Sequence, residues 1–94
     1  MAAIKVYYSE DCPACPSYLK DISQLAEKHE HTCELFSLGK DPLIIIEDLQ
    51  FLRDKGHSVS VLPFFVISDN KNKYSYEGIL SRGIISDVLS NFGE

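Results

Sequence analysis

The stretch IKVYYSEDCPAC, residues 4–15, decides the fold because it joins a strand pattern directly to a pair of spaced cysteines. Ile4–Tyr8 is a short apolar run of β-branched and aromatic side chains, which is typical of a buried central strand. A polar tripeptide then interrupts the run, and Pro13 has the fixed φ that suits the first position of a helix. The stretch therefore predicts a strand over Ile4–Tyr8 and a helix that begins at Cys12.

The first helix is expected to be amphipathic and to be followed by a second strand. After Cys15, apolar side chains recur every three or four residues while charged side chains fall elsewhere, so one face of the helix is apolar. This pattern ends at about His29. The segment Thr32–Leu38 has a strand composition and stops at a glycine, which predicts the second strand.

A second helix is predicted between Asp41 and Gly56. Asp41 is a typical N-cap residue, Pro42 suits the first helical position, and glycine commonly follows the last helical residue. The apolar run 44–46 lies inside this helix. It is either buried on a wide face or, where it is exposed, a patch on which a partner docks.

The last third of the chain predicts a hairpin and a third helix. Because Pro63 cannot donate a ladder hydrogen bond, the third strand must start at or after it. The polar turn 69–72 separates two strand patterns, Phe64–Ser68 and Lys73–Glu77, which predicts an antiparallel pair. The third helix should run from about Ser81 to Gly93. Its apolar face is predicted to hold Ile84, Ile85, Val88, Leu89 and Phe92.

Seven elements in the order βαβαββα place the chain in the α/β class, as one mixed four-stranded sheet flanked by three helices. The pattern contains no linker, repeat or low-complexity segment, so residues 1–94 are expected to form a single domain. The composition, 45% hydrophobic and 24% charged, is ordinary for a globular protein and argues against a disordered or fibrous chain.

Charge and hydropathy exclude two classes of partner. Fourteen acidic and nine basic residues give a formal net charge of −5, which argues against binding the phosphate backbone of nucleic acids. No apolar run approaches the roughly 18 residues needed to cross a bilayer.

The first residues alternate like a strand and lack the pattern of a secretory signal, so we expect a cytoplasmic location. In a reducing compartment, a close cysteine pair is expected to be reactive or metal-binding.

The pair Cys12 and Cys15 has the spacing of a redox-active dithiol at a helix N-terminus. Unpaired amides and the positive end of the helix dipole stabilise a thiolate on Cys12, which lowers the thiol pKa from its ordinary value of about 8.5. Cys15 lies on the first turn, within reach of a mixed disulfide formed at Cys12. The pair is therefore expected to cycle between dithiol and disulfide.

Neighbouring residues adjust this expectation. Glu10 and Asp11 place negative charge beside Cys12 and should oppose thiolate formation, so only a moderately stabilised thiolate is expected. Pro16 lacks the amide that would donate to the Cys12 carbonyl, and its ring crowds that carbonyl. The start of the helix is therefore expected to be loosened.

A proline directly before the third strand, in Val61-Leu62-Pro63, resembles the cis-proline loop of thioredoxin-like proteins when it is combined with C-x-x-C in a βαβ context. The whole chain resembles glutaredoxin, the compact form of that fold, because it starts with the strand that leads into the cysteines. Tyr7 to Cys15 is similar to the glutaredoxin signature, in which C-P-Y-C follows a strand.

The resemblance implies a thiol–disulfide oxidoreductase that reduces a disulfide-containing protein or a glutathione mixed disulfide. It implies no bound cofactor, with glutathione as a candidate co-substrate, and we expect a monomer.

The chain departs from the family at Ser9, where glutaredoxins usually have a lysine, and it keeps one glycine of the Gly-Gly motif. It also has Val6 where thioredoxins bury an aspartate. The expected catalytic residues are Cys12 and Cys15, and the expected substrate-binding residues are Pro13, Leu62, Pro63 and Gly78.

Other interpretations of the same residues stay open. The cysteine pair could form a structural disulfide, or it could bind zinc with His29, His31 and Cys33, or carry another metal or an iron–sulfur cluster. Histidines at a polar helix end are more often solvated, and Cys33 is more often a small apolar side chain in a sheet. A rival from another class is a binding or adaptor module in which the cysteines are bystanders.

Overall fold

Within residues 2–56, 62–71 and 73–91, which the computed structural model describes, four strands and three helices follow one another in the predicted order. The bounds of the two hairpin strands agree with the sequence expectation at both ends. The remaining elements differ from it by one to three residues at their ends. The elements are β1 Ala3–Tyr8, α1 Cys15–Lys28, β2 Thr32–Ser37, α2 Pro42–Asp54, β3 Phe64–Ser68, β4 Lys73–Glu77 and α3 Arg82–Ser90.

The strands form one mixed sheet in the order β2-β1-β3-β4. β1 pairs parallel with β2 and antiparallel with β3, while β3 and β4 form the predicted antiparallel hairpin. The fold class predicted from the sequence, a mixed four-stranded sheet with three helices, is therefore confirmed. Because β1 and β2 are parallel, their carboxyl ends lie side by side, with Tyr8 opposite Ser37.

Side chains of β1 alternate between the two faces of the sheet, and each face builds a separate apolar cluster. On one face α1 and α3 cover Ile4 and Val6, and Val6 is fully buried. On the other face α2 covers Tyr7, whose ring stacks on Phe64 at a centroid distance of 4.5 Å. The sheet is thus buried on both sides, as the short continuous apolar run of β1 predicts.

Two helices bury narrower faces than the sequence suggests. In α2 only Ile45 of the run 44–46 is buried, and the neighbouring isoleucines are exposed. The wide buried face is therefore wrong, and the run is partly exposed, which is the condition stated for a docking patch. In α3 the prediction that Ile84 faces the core is wrong, because its side chain is 51% exposed while Ile85 and Leu89 are buried. A nine-residue helix that packs with one side against α1 and the sheet has room for a single apolar stripe.

Some expectations fall on residues outside those described, namely Val61, Phe92 and Gly93. No helix among the described residues has both the length and the apolar character that a bilayer span requires.

Candidate redox site

The first helix begins at Cys15, so the expectation that it begins at Cys12 is wrong. The N-cap is Ala14, with φ −88° and ψ −9°. The reason is Pro16, which has no amide to donate to the Cys12 carbonyl. That carbonyl accepts a hydrogen bond from the Cys15 N–H instead, at 3.2 Å, and closes a tight turn. The loosened helix start expected from Pro16 is therefore present, and Cys12 lies just outside the helix.

The two predicted catalytic cysteines are joined as a disulfide in this structure, with their Cα atoms 5.3 Å apart. They differ in accessibility. Cys15 is 2% exposed, whereas Cys12 is half-buried and reaches the surface. A substrate can therefore approach the sulfur of Cys12, while Cys15 is positioned to react only within the protein.

A surface cavity of about 310 Å³ opens beside the disulfide. It lies where the loop after β1 meets the first turn of α1. Its lining combines the aromatic ring of Tyr8, the carboxylate-bearing Glu10 and apolar side chains of α1 with both cysteines. Pro13, predicted as a substrate contact, is exposed but does not line this cavity. The lining residues are Tyr8, Ser9, Glu10, Cys12, Cys15, Pro16 and Leu19.

The loop before Cys12 is held by local and cross-strand hydrogen bonds. The Cys12 N–H donates to the Ser9 carbonyl at 3.3 Å, which forms a turn. The Glu10 carboxylate accepts from the Gly39 N–H at 3.0 Å and from the Ser37 hydroxyl at 3.1 Å. The hydrogen bond from the Gly39 backbone is the main reason why the pKa of Glu10 lies below its ordinary value.

Ser37 and Gly39 were not identified from the sequence. Ser37 is 2% exposed, and its hydroxyl also accepts from the Lys40 N–H at 3.1 Å. The signal that would find them is the parallel pairing of β1 with β2, which places Ser37 opposite Tyr8. That pairing depends on tertiary structure and cannot be read from the local pattern around the cysteines.

The predicted proline loop lies at the same edge of the sheet as the cysteine loop. The Leu62–Pro63 peptide bond is cis, and Pro63 is buried. Antiparallel pairing of Tyr7 with Phe64 brings Pro63 beside the end of β1, from which the loop to Cys12 departs. The Pro63 carbonyl accepts from the Gly78 N–H at 2.8 Å.

Gly78 is therefore joined to the proline loop by this hydrogen bond. Its φ of +82° is a conformation that favours glycine over residues with a Cβ. Leu62 is half-buried and packs against the apolar cluster under α2. The structure thus brings together Leu62, Pro63 and Gly78 as one group, and Cys12 with Cys15 as another. The first group does not line the cavity beside the disulfide.

His31 is a structural residue, contrary to the expectation of a solvated histidine. It is 7% exposed, and both ring nitrogens are bonded: Nδ1 accepts from the Ala2 N–H at 3.0 Å, and Nε2 donates to the Leu89 carbonyl at 2.8 Å. Because Ala2 supplies a donor, the ring must carry its proton on Nε2. No group of three His, Cys, Asp or Glu side chains among the described residues is arranged to hold a metal ion.

Cys33 packs as a small apolar side chain, as expected. It is a free cysteine on β2, partly buried against the cluster beneath α1. Burial raises the pKa of its thiol, so it is less reactive than an ordinary cysteine at neutral pH.

Comparison with solved structures shows thioredoxins with the same fold. A mutant thioredoxin from Halobacterium salinarum superimposes with a TM-score of 0.73 at 14% identity, covering 99% of this chain and 75% of the other. Mitochondrial thioredoxin 3 from Saccharomyces cerevisiae, in its oxidised form, gives 0.72 at 13% identity, covering 97% and 78%. Chloroplastic thioredoxin z gives 0.70 at 19% identity, covering 97% and 77%.

The chain therefore has the thioredoxin fold. No protein-family model matches its sequence, and no curated protein is similar enough in sequence to match it. The structural likeness establishes the architecture, and the function has to be argued from the site.

Proposed function

We propose that this protein is a thiol–disulfide oxidoreductase that reduces disulfides through Cys12 and Cys15. The observation that carries the proposal is the pairing of an accessible Cys12 with a buried Cys15 across one turn at the start of α1. A structural disulfide would close only a short loop and stabilise the fold little. A partly exposed cysteine beside a cavity is instead suited to exchange with a partner.

The reaction follows from the unequal exposure of the two sulfurs. The Cys12 thiolate attacks one sulfur of the substrate disulfide, so that a Cys12–substrate bond forms and the first substrate thiolate leaves and takes a proton from water. The Cys15 thiolate then attacks Cys12, which forms the Cys12–Cys15 disulfide and releases the second substrate thiol. Two electrons pass from the protein to the substrate. A thiol or dithiol donor returns them.

The position of Cys12 just before the start of α1 supports its role, although the helix does not begin at this residue. Cys12 lies three positions before Cys15, the first helical residue, at the positive end of the helix dipole. The thiolate is therefore favoured. Val6, which is fully buried, stands at the position where thioredoxins bury an aspartate, so no carboxylate at that position can take the proton of Cys15. Deprotonation of Cys15 then depends on solvent or on the leaving thiolate.

The finer assignment is that of a glutaredoxin-like dithiol enzyme. Leu62, ahead of the cis-proline, would present its backbone to an extended substrate segment, and Gly78 would support that loop through its bond to Pro63. We propose a disulfide-containing protein as the main substrate and glutathione mixed disulfides as the minor one, because the usual glutathione-binding lysine is replaced by Ser9. A cytoplasmic location fits the reductive direction.

The test uses reduced protein and 2-hydroxyethyl disulfide, followed by intact mass. The Cys12→Ser variant should lose all reduction, whereas Cys15→Ser should accumulate a mixed disulfide on Cys12. A Cys33→Ser variant is the matched control, since it removes a cysteine that takes no part, and it should react at the wild-type rate. Equal residual activity in the Cys12 and Cys15 variants would contradict the ordered mechanism.

The exposed apolar residues of α2 favour the adaptor module as a second candidate. Leu43 is 72% exposed and Ile46 57% exposed, so this helix offers apolar surface away from the cysteines. The two functions separate in a double Cys12→Ser, Cys15→Ser variant. An adaptor retains all partner binding in that variant, and an oxidoreductase loses its activity.

A further inference from the structure

Glu10 is the one acidic side chain that lines the cavity beside the disulfide, among the residues that the structure describes. We infer that it determines substrate specificity: its fixed carboxylate favours disulfides carrying positive charge and disfavours anionic ones, glutathione disulfide included. This inference rests on the proposed function, since it concerns which disulfides reach Cys12.

The carboxylate is held in place rather than free in solvent. Both oxygens are engaged, one by the Gly39 N–H and the other by the buried Ser37 hydroxyl. Ser37 is itself fixed by bonds to the turn before α2, because its N–H donates to Asp41 Oδ2 at 3.3 Å and its carbonyl accepts from the Asp41 N–H at 2.7 Å. The charge therefore has one position relative to the cysteine loop.

The absence of a side chain at Gly39 lets this carboxylate approach the backbone closely. A Cβ added to Gly39 would collide with the carboxylate and approach Glu10 Cδ to 2.8 Å. Glycine at position 39 thus permits the close approach of Glu10. An alanine there would push the carboxylate away without changing the charge of the protein or its buried core.

The neighbouring Asp11 provides a matched comparison. It carries the same charge one residue closer to Cys12 in the chain, and both residues are exposed, but Asp11 does not line the cavity. Its backbone N–H donates to the Ser9 hydroxyl at 3.3 Å, and its carboxylate accepts no hydrogen bond from the residues described. A mobile charge in water is screened and averaged over many positions, so its influence on an approaching substrate is weaker.

The experiment measures the rate at which reduced protein reduces three small disulfides: cystamine, which is dicationic, 2-hydroxyethyl disulfide, which is neutral, and dithiodipropionate, which is dianionic. If only the nearer of the two charges on each substrate acts, at about 7 Å from the Glu10 carboxylate, Coulomb's law in water gives a cation-to-anion rate ratio of about sevenfold at low ionic strength. Each ratio is normalised to the intrinsic reactivity of the disulfides toward free dithiothreitol.

We expect the Glu10→Gln variant to lower the normalised ratio about sevenfold, mainly by faster reaction with the anion and slower reaction with the cation. Asp11→Asn should change it less than about twofold. Gly39→Ala should lower it toward the Glu10→Gln value, since the carboxylate is displaced. In the wild type, about 1 M salt should remove most of the preference.

Three results would overturn the inference. They are a wild-type ratio that is insensitive to salt, an Asp11→Asn change as large as that of Glu10→Gln, and a Gly39→Ala ratio equal to that of the wild type. Failure of the proposed function itself is distinguishable, because the neutral disulfide would then not be reduced by any variant. Glutathione disulfide, tested alongside, should behave as the anion does.

Discussion

Replacing His31 by leucine should destabilise the fold strongly, because this buried ring ties the start of the chain to the end of α3. The substitution leaves the Ala2 N–H and the Leu89 carbonyl without their partners, at sites where the ring bonds are 3.0 and 2.8 Å. Each unpaired buried group costs about 1–3 kcal/mol of stability, and the burial of the leucine side chain offsets part of this cost. We expect a net loss of about 2–4 kcal/mol from a total that is typically about 5–15 kcal/mol.

Urea unfolding followed by circular dichroism measures this loss. With a slope of about 1–1.5 kcal/mol per M for a domain of this size, the midpoint should fall by about 1.3–4 M. His29→Leu is the matched control. Its Nε2 is buried without a hydrogen-bond partner among the described residues, so removing it should leave stability unchanged or raise it. Equal destabilisation by the two substitutions would refute the assignment of a bonding role to His31.

Three further outcomes follow from the described contacts. Burial and the hydrogen bond to Asp48 raise the pKa of Tyr7. The stability that the neutral phenol contributes is therefore fully present below the ordinary tyrosine pKa of about 10 and is lost as the pH rises above it. The urea midpoint of the wild type should fall between pH 9 and 11.5, and this fall should be smaller in Tyr7→Phe. In the reduced protein at pH 8, iodoacetamide should modify Cys12 before Cys33, as followed by peptide mass, because burial raises the pKa of the latter thiol. Pro16→Ala restores an amide that can donate to the Cys12 carbonyl, which lets the helix begin nearer to Cys12. The helix dipole then stabilises the thiolate more, so the pKa of the Cys12 thiol, read from thiolate absorbance at 240 nm, should fall. An unchanged pKa would contradict the effect assigned to this proline.

Much of the fold could be predicted because strand and helix periods are local. β3 and β4 could be predicted at both ends, since Pro63 excludes an earlier start and a polar turn separates the two strand patterns. The start of α1 was misplaced, although the lost amide of Pro16 was recognised. Pro13 favours a helix that begins at Cys12, whereas Pro16 disfavours a helical turn directly before it. The local sequence does not show which effect is larger, and the backbone shows that the effect of Pro16 is.

The cysteine pair of the candidate site could be predicted from the sequence, whereas its surroundings could not. Cys12 and Cys15 follow from spacing alone. Glu10 was noticed as a charge, but its bonds to Ser37 and Gly39 depend on the parallel pairing of β1 and β2. His31 was misjudged for the same reason, because its partners Ala2 and Leu89 are distant in sequence. Local patterns carry no information about such contacts.

The most direct test of the central claim is the reversible oxidation of Cys12 and Cys15. The Cys33→Ser variant should be equilibrated anaerobically in glutathione buffers of graded potential, alkylated and read by intact mass. The account predicts one reversible loss of two hydrogens, with a midpoint between about −270 and −200 mV, that disappears in a further Cys12→Ser substitution. If no reversible disulfide forms at any potential, the protein is not a thiol–disulfide oxidoreductase.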